Sequence, residues 1–145
     1  MKVLVSACLL GVSCRYDGQS KSYPLMDELC RRHEVIPVCP EQLGGLPTPR
    51  TPAERKGERV VTKTGGDVTA QYRRGAEEVL RLARKLGCTV AVLKERSPSC
   101  GSGQIYDGSF TGTLTAGDGV TARLLREAGI RVIGESQLAE FLQED

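Results

Sequence analysis

Four short β-prone apolar runs recur along the chain with helical patterns between them: VLVSA at 3–7, EVIPV at 34–38, TVAVL at 89–93 and IRVI at 130–133. The first and third are continuous enough to be strands buried on both faces, as strands of a parallel sheet are. Residues 71–86 form the clearest helical pattern. Tyr72, Ala76, Val79, Leu80, Ala83 and Leu86 repeat on one face, and Gly87 ends it. Residues 23–32 read as a helix capped by Ser22, with Pro24 in its first turn and Leu25, Met26, Leu29 and Cys30 on one face. A further helix is expected over 120–128, stopped by Gly129, and a last one from Ser136 to about residue 142. Residues 40–70 concentrate proline and glycine and read as a long loop with at most a small hairpin at Val60 and Val61. Residues 95–119 read as a second loop, rich in Gly, Ser, Thr and Asp. No internal repeat and no linker divides residues 1–145, so one domain is expected. Strands alternating with helices predict the α/β class, a mostly parallel sheet of about four to five strands covered on both faces.

In such a sheet, ligands bind beyond the carboxyl ends of the strands. Three of the six cysteines fall there. Cys8 follows the first strand, Cys39 follows the second, and Cys100 lies in the loop after the third. Cysteine often serves as a small buried apolar residue. That reading suits Cys30 and Cys88, which lie on an expected helix face and at the far end of the third strand. It suits loop cysteines among Gly, Pro and Ser poorly. Cys14 shares the loop of Cys8 and fits three roles: ligand, substrate-side thiol or buried support. No C-x-x-C pair occurs, and the single histidine, His33, is expected on the opposite rim. Three thiolates without histidine point to a soft-ligand site, either an iron–sulfur cluster or zinc with an open position. A cubane on three protein thiolates keeps one iron open as a Lewis acid. Glu41 and Ser97 flank two of these cysteines. The carboxylate can move a proton and the hydroxyl can orient water or substrate, or both can be plain loop residues.

The rest of the sequence narrows the class. A net charge of +2, with acids and bases interspersed, argues against a nucleic-acid surface. Aromatics at 4% offer few platforms for stacked bases. Ser6, Cys8 and Gly11 interrupt the first apolar stretch, and no small-residue cleavage site follows, so it does not read as a secretory signal. No run approaches the roughly 18 apolar residues of a membrane span. The expected location is the cytoplasm, where cysteines stay reduced. Neither a P-loop nor a dinucleotide fingerprint occurs in context. The loops at Gly101, Gly103, Gly108 and Gly112 are expected to bring backbone N–H groups near a ligand, and the helix start at Asp118 and Gly119 is a candidate anion receptor.

Five blocks carry a resemblance: SACLLGVSCRYDGQSK, IPVCPEQLGGLPTPR, GGDVTAQYRRGA, LKERSPSCGSGQIYDGSFTG and GDGVTARLLREAGIRVIGE. Together they resemble, over nearly the whole chain, the bacterial and archaeal thiouracil desulfidase family, first catalogued as a domain of unknown function. The resemblance implies a Rossmann-like three-layer sandwich holding a [4Fe–4S] cluster on the cysteines matching Cys8, Cys39 and Cys100. It implies that the open iron takes the sulfur of a thiolated pyrimidine. Residues matching Glu41 and Ser97 would then assist a non-redox exchange of C=S for C=O. The implied partner is a small thiopyrimidine base or nucleotide. Thiolated transfer RNA stays open as a variant, since the family also occurs fused to other domains. A non-catalytic metal- or cluster-binding sensor domain is the alternative, using the same three thiolates.

Overall fold

The computed structural model describes residues 1–20 and 22–144. Lys21, the last residue of the first resembling block, and Asp145 lie outside the described residues. The central sheet has four strands: β1 (Lys2–Ser6), β2 (Glu34–Val38), β5 (Val90–Leu93) and β8 (Arg131–Gly134). Their order is β2-β1-β5-β8 and every pairing is parallel. Two antiparallel hairpins form separate two-stranded sheets. One is β3 (Ala53–Lys56) with β4 (Arg59–Thr62), and the other is β6 (Gln104–Tyr106) with β7 (Leu114–Ala116).

Side chains alternate across the sheet, so successive residues of one strand enter different layers. Val3, Val5, Val90 and Val92 meet α1 (Met26–Arg32) and α5 (Leu138–Gln143) through Met26, Leu29, Leu138 and Phe141. Leu4, Ala91 and Leu93 meet α3 (Thr69–Leu86) and α4 (Val120–Glu127) through Val79, Ala83, Ala122 and Leu125. The result is a three-layer α/β sandwich of the Rossmann-like kind. Gly87 adopts φ 74° and closes α3, as its position after the last apolar residue predicts. Among the described residues, no helix is long and apolar enough to cross a membrane.

Several expected details differ. Helix α1 starts at Met26, not residue 23, because Tyr23 to Met26 is a turn closed by a 3.0 Å hydrogen bond from the Met26 N–H to the Tyr23 carbonyl. Ser22 therefore caps nothing here. Cys30 is exposed rather than buried. It lies about 70° around the helix from the midpoint of Met26 and Leu29, which carry the contact. Cys88 is buried in the α3–α4 core, where burial raises its thiol above the ordinary value. Ser136 sits in a single 3-10 turn before α5 and bonds the Glu95 carboxylate instead of capping the helix. The loop expected over 40–70 contains a one-turn helix, α2 (Pro40–Leu43), as well as the hairpin.

Candidate active site

The chain leaves β1, forms β2 on one side, and returns to β5 on the other. The sheet thus has its reversal of strand order between β1 and β5, where a crevice opens at the carboxyl ends. Ser6 marks the place. It ends β1, is buried, and its Oγ accepts the Lys94 N–H at 2.8 Å, just past the last paired residues of β1 and β5. A cavity of about 390 Å³ lies here, and Cys8, Cys14, Cys39, Glu41, Ser97 and Cys100 all line it.

Each cysteine is delivered by a different local device. Cys8 sits in a 3-10 turn (Ala7–Leu10) that continues β1 and is closed by Gly11 at φ 98°. Cys39 is the extended residue between β2 and α2. Cys100 ends a tight turn begun by Ser97, whose Oγ accepts the N–H groups of Ser99 (3.1 Å) and Cys100 (3.0 Å). That turn lies directly on the start of α4. A Cβ at Gly101 would fall 2.7 Å from the Ser97 carbonyl oxygen, and one at Gly119 would fall 2.8 Å from the Cys100 nitrogen. Only glycine permits this approach.

The same contacts correct two expectations. The N–H groups of Val120, Thr121 and Ala122 at the head of α4 are taken by the carbonyls of Pro98 and Ser99, so that helix start is not an open anion receptor. Asp118 closes it further, accepting the Gly103 N–H at 2.8 Å and pairing with Arg126. Nor do three of the four loop glycines, Gly101, Gly103 and Gly108, offer free donors. The N–H of Gly101 goes to Ser97, that of Gly103 to Asp118 and that of Gly108 to Glu54.

The thiols form a linked group. Cys14 is buried, and its thiol lies against those of both Cys8 and Cys39. The Cys39 thiol is raised well above its ordinary value by its hydrogen bond with Cys14 and by burial. It also points at the Cys14 carbonyl, at 3.8 Å. Burial pushes Cys100 up to about 12, with Ser6 and Ser99 as its hydrogen-bond neighbours. Such groups are protonated thiols on their own and need a cationic partner to become thiolates. Among the described residues, no three His, Cys, Asp or Glu side chains gather closely enough for a single metal ion. Three soft thiol donors on one cavity are the kind of donor set that the irons of a cluster accept. His33 is on the far rim, packed against Phe141 at 5.6 Å.

Glu41 is a carboxylate on the cavity wall. Its Oε2 accepts Arg50 Nε (2.9 Å), Arg50 Nη2 (2.7 Å) and the Tyr72 hydroxyl (3.2 Å). Neither Arg50 nor Tyr72 is marked by spacing. Arg50 closes a Pro-rich loop and Tyr72 reads as one apolar residue of the α3 face. The cue available was a lone arginine in TPR, at the end of the block that also holds Cys39 and Glu41. Helix α2 is pressed onto α3 through two glycines. A Cβ at Gly75 would lie 2.8 Å from the Pro40 carbonyl carbon, and one at Gly44 would lie 2.9 Å from the Gln71 carbonyl carbon. This packing brings Glu41 to Tyr72.

Similarity to known proteins follows the same length of chain. The sequence profile of the 2-thiouracil desulfurase family matches residues 3–137. The uncharacterized protein YbbK of Bacillus subtilis (strain 168) is 43% identical over 150 residues, covering 97% of this chain and 99% of YbbK. The solved structure of TudS, a [4Fe–4S]-dependent thiouracil desulfidase, superposes with a TM-score of 0.91 at 55% identity, covering 96% of this chain and 93% of that one.

Proposed function

The chain belongs to the 2-thiouracil desulfurase family, and from that premise we propose that it is a [4Fe–4S]-dependent desulfidase acting on thiolated pyrimidines. The observation that carries this reading is the meeting of Cys8, Cys39 and Cys100 with Glu41 and Ser97 on one cavity at the switch in strand order. The cavity is within the range that holds small molecules. In this reading the three cysteines hold the cluster, Glu41 is the base and Ser97 is a donor to the substrate. Residues 1–145 act as one desulfidase domain, since β8 pairs with β5 and α5 packs on the core of β1. Six free cysteines suit a reducing cytoplasm.

The reaction is a hydrolysis: C=S plus H₂O gives C=O plus H₂S, with no net electron transfer. When bound, the cluster supplies an open iron, a Lewis acid soft enough to favour thione sulfur. Glu41 takes the proton of the attacking water and can return it to the departing sulfur. The Ser97 oxygen already accepts two backbone N–H groups, so its remaining role is donation through its O–H. That restricts Ser97 to orienting an acceptor atom of the base. The substrate is the thiobase itself or its nucleotide. The weak net charge disfavours a large RNA surface, so thiolated transfer RNA is the less favoured partner.

The test is anaerobic reconstitution with iron and sulfide, followed by iron analysis and sulfide release from 2-thiouracil and 4-thiouridine monophosphate. Wild type should bind the cluster and release sulfide. Cys8→Ser, Cys39→Ser and Cys100→Ser should each lose the iron while staying folded. Loaded wild type without sulfide release on either compound would sink the enzymatic reading and favour the sensor alternative.

A further inference from the structure

Glu41 is held more tightly than a proton-transfer role by itself explains. All three hydrogen bonds it receives among the described residues end on Oε2. Two come from Arg50, whose side chain is only 6% exposed. The same guanidinium reaches the Cys14 carbonyl at 3.0 Å, the Pro47 carbonyl at 3.2 Å and the Thr48 hydroxyl at 3.1 Å. Arg50 therefore ties the β1 loop, with Cys14, to α2, with Cys39 and Glu41. Burial works against its charge, but the neighbouring Glu41 carboxylate outweighs this and raises its proton affinity. Tyr72 approaches from α3. Its phenol is buried and, through that burial and the Glu41 carboxylate, stays firmly protonated, so toward Glu41 it donates.

We infer that Arg50 and Tyr72 are positioning residues: they clamp Oε2 of Glu41 and leave Oε1 as the one oxygen available to the reacting proton. This rests on the desulfidase reading and deepens it. A carboxylate free to rotate would present either oxygen and lose its aim. A carboxylate fixed by a guanidinium fork and a phenol has one orientation. The clamp is built from three separate elements, which makes it a property of the folded site and not of a local motif.

The experiment compares wild type, Tyr72→Phe and Arg50→Lys, with Glu41→Gln as reference. Tyr72→Phe keeps the ring and removes one donor, so it serves if Arg50→Lys fails to fold. Iron content should equal wild type in Tyr72→Phe. Its kcat should fall about 10-fold, the scale of one hydrogen bond to a charged group, with KM within about twofold. Arg50→Lys should lower kcat by about 10²-fold, because an ammonium cannot supply the fork. The second readout is infrared. The carboxylate band that disappears in Glu41→Gln is assigned to Glu41, and it should shift in both clamp variants. This band is read without turnover, so it tests the clamp even if wild type releases no sulfide, which would instead sink the functional reading. An unmoved band, wild-type kcat in both variants, or a loss confined to iron content overturns the inference.

Discussion

The contact between α2 and α3 makes Gly75→Ala the sharpest probe of how the site is positioned. A Cβ there would sit 2.8 Å from the Pro40 carbonyl carbon, and its nearest neighbour is the Pro40 carbonyl oxygen itself. Ordinary carbon–carbon contact begins near 3.5 Å, so the gap is short by about 0.7 Å, and α2 must retreat by roughly 1 Å once the oxygen is counted. Both partners are backbone, so no side-chain rotation relieves the clash. Overpacking of this kind costs about 1–3 kcal/mol. Replacing glycine by alanine inside a helix returns about 1 kcal/mol through propensity. The net loss at the upper end of that range is about 2 kcal/mol, which lowers Tm by roughly 4–8 °C for a chain of this size.

The consequence for function is much larger. Helix α2 carries Glu41 and follows directly on Cys39, so the displacement moves Glu41 relative to Cys8 and Cys100, which belong to other elements. A misplacement of about 1 Å costs on the order of 10²-fold in rate. The assay is sulfide release by the reconstituted protein, normalised to folded, iron-loaded enzyme. The control is Gly65→Ala. Gly65 has φ 93° with nothing within 4 Å of an added Cβ, so that change strains the backbone without touching α2. Gly75→Ala should lose turnover while Gly65→Ala keeps it at a comparable Tm. Equal turnover in the two variants refutes the reasoning.

Other outcomes follow from single residues. Glu41→Gln should keep the cluster spectrum and cut sulfide release about 10²–10⁴-fold, and full activity would remove Glu41 from the chemistry. Cys30→Ala, at an exposed position, should change stability by less than about 0.5 kcal/mol, and the buried Cys88→Ala by about 1 kcal/mol, with iron content unchanged in both. Asp67 is held down to about 2 from its ordinary 3.8 by the Thr69 hydroxyl and N–H and by Arg59. A depressed carboxylate stabilises the fold above its unfolded value and stops doing so as pH falls through the folded one. Thermal melts should therefore show wild type above Asp67→Asn at neutral pH, with the gap closing between about pH 4 and pH 2. A gap undiminished at pH 2 would contradict the assignment.

The framework of the fold was legible because it rests on patterns of short range. Buried parallel strands are continuous apolar runs, α3 is a strong amphipathic helix, and Gly87 marks its end. The small elements were not legible for equally physical reasons. Helix α2 is one turn long and begins at a proline, so it has no periodicity to read, and it is held by the glycine contact with α3. Strands β6 and β7 have three residues each, lie in a Gly-rich stretch, and are fixed by pairing with each other. Cys30 misled because α1 presents a narrow face, with Met26 and Leu29 filling it.

The site divides along the same line. Cys8, Cys39 and Cys100 could be placed from sequence, since the parallel topology alone sends the ends of β1, β2 and β5 to one rim. What surrounds them could not. Arg50 lies nine residues from Glu41 and Tyr72 thirty-one, and no repeat or spacing rule links such distances. Their meeting depends on two glycines, Gly44 and Gly75, that let α2 and α3 touch backbone to backbone. The sheet thus supplies the thiols as a generic consequence of its winding. The placing of Glu41 against Tyr72 is set by a separate contact, between α2 and α3. Substitutions on the α2–α3 contact should therefore cost more turnover than iron, because Glu41 rides on α2 while Cys8 and Cys100 stay on loops of their own. Substitutions in the β1 and β5 loops should lose both together.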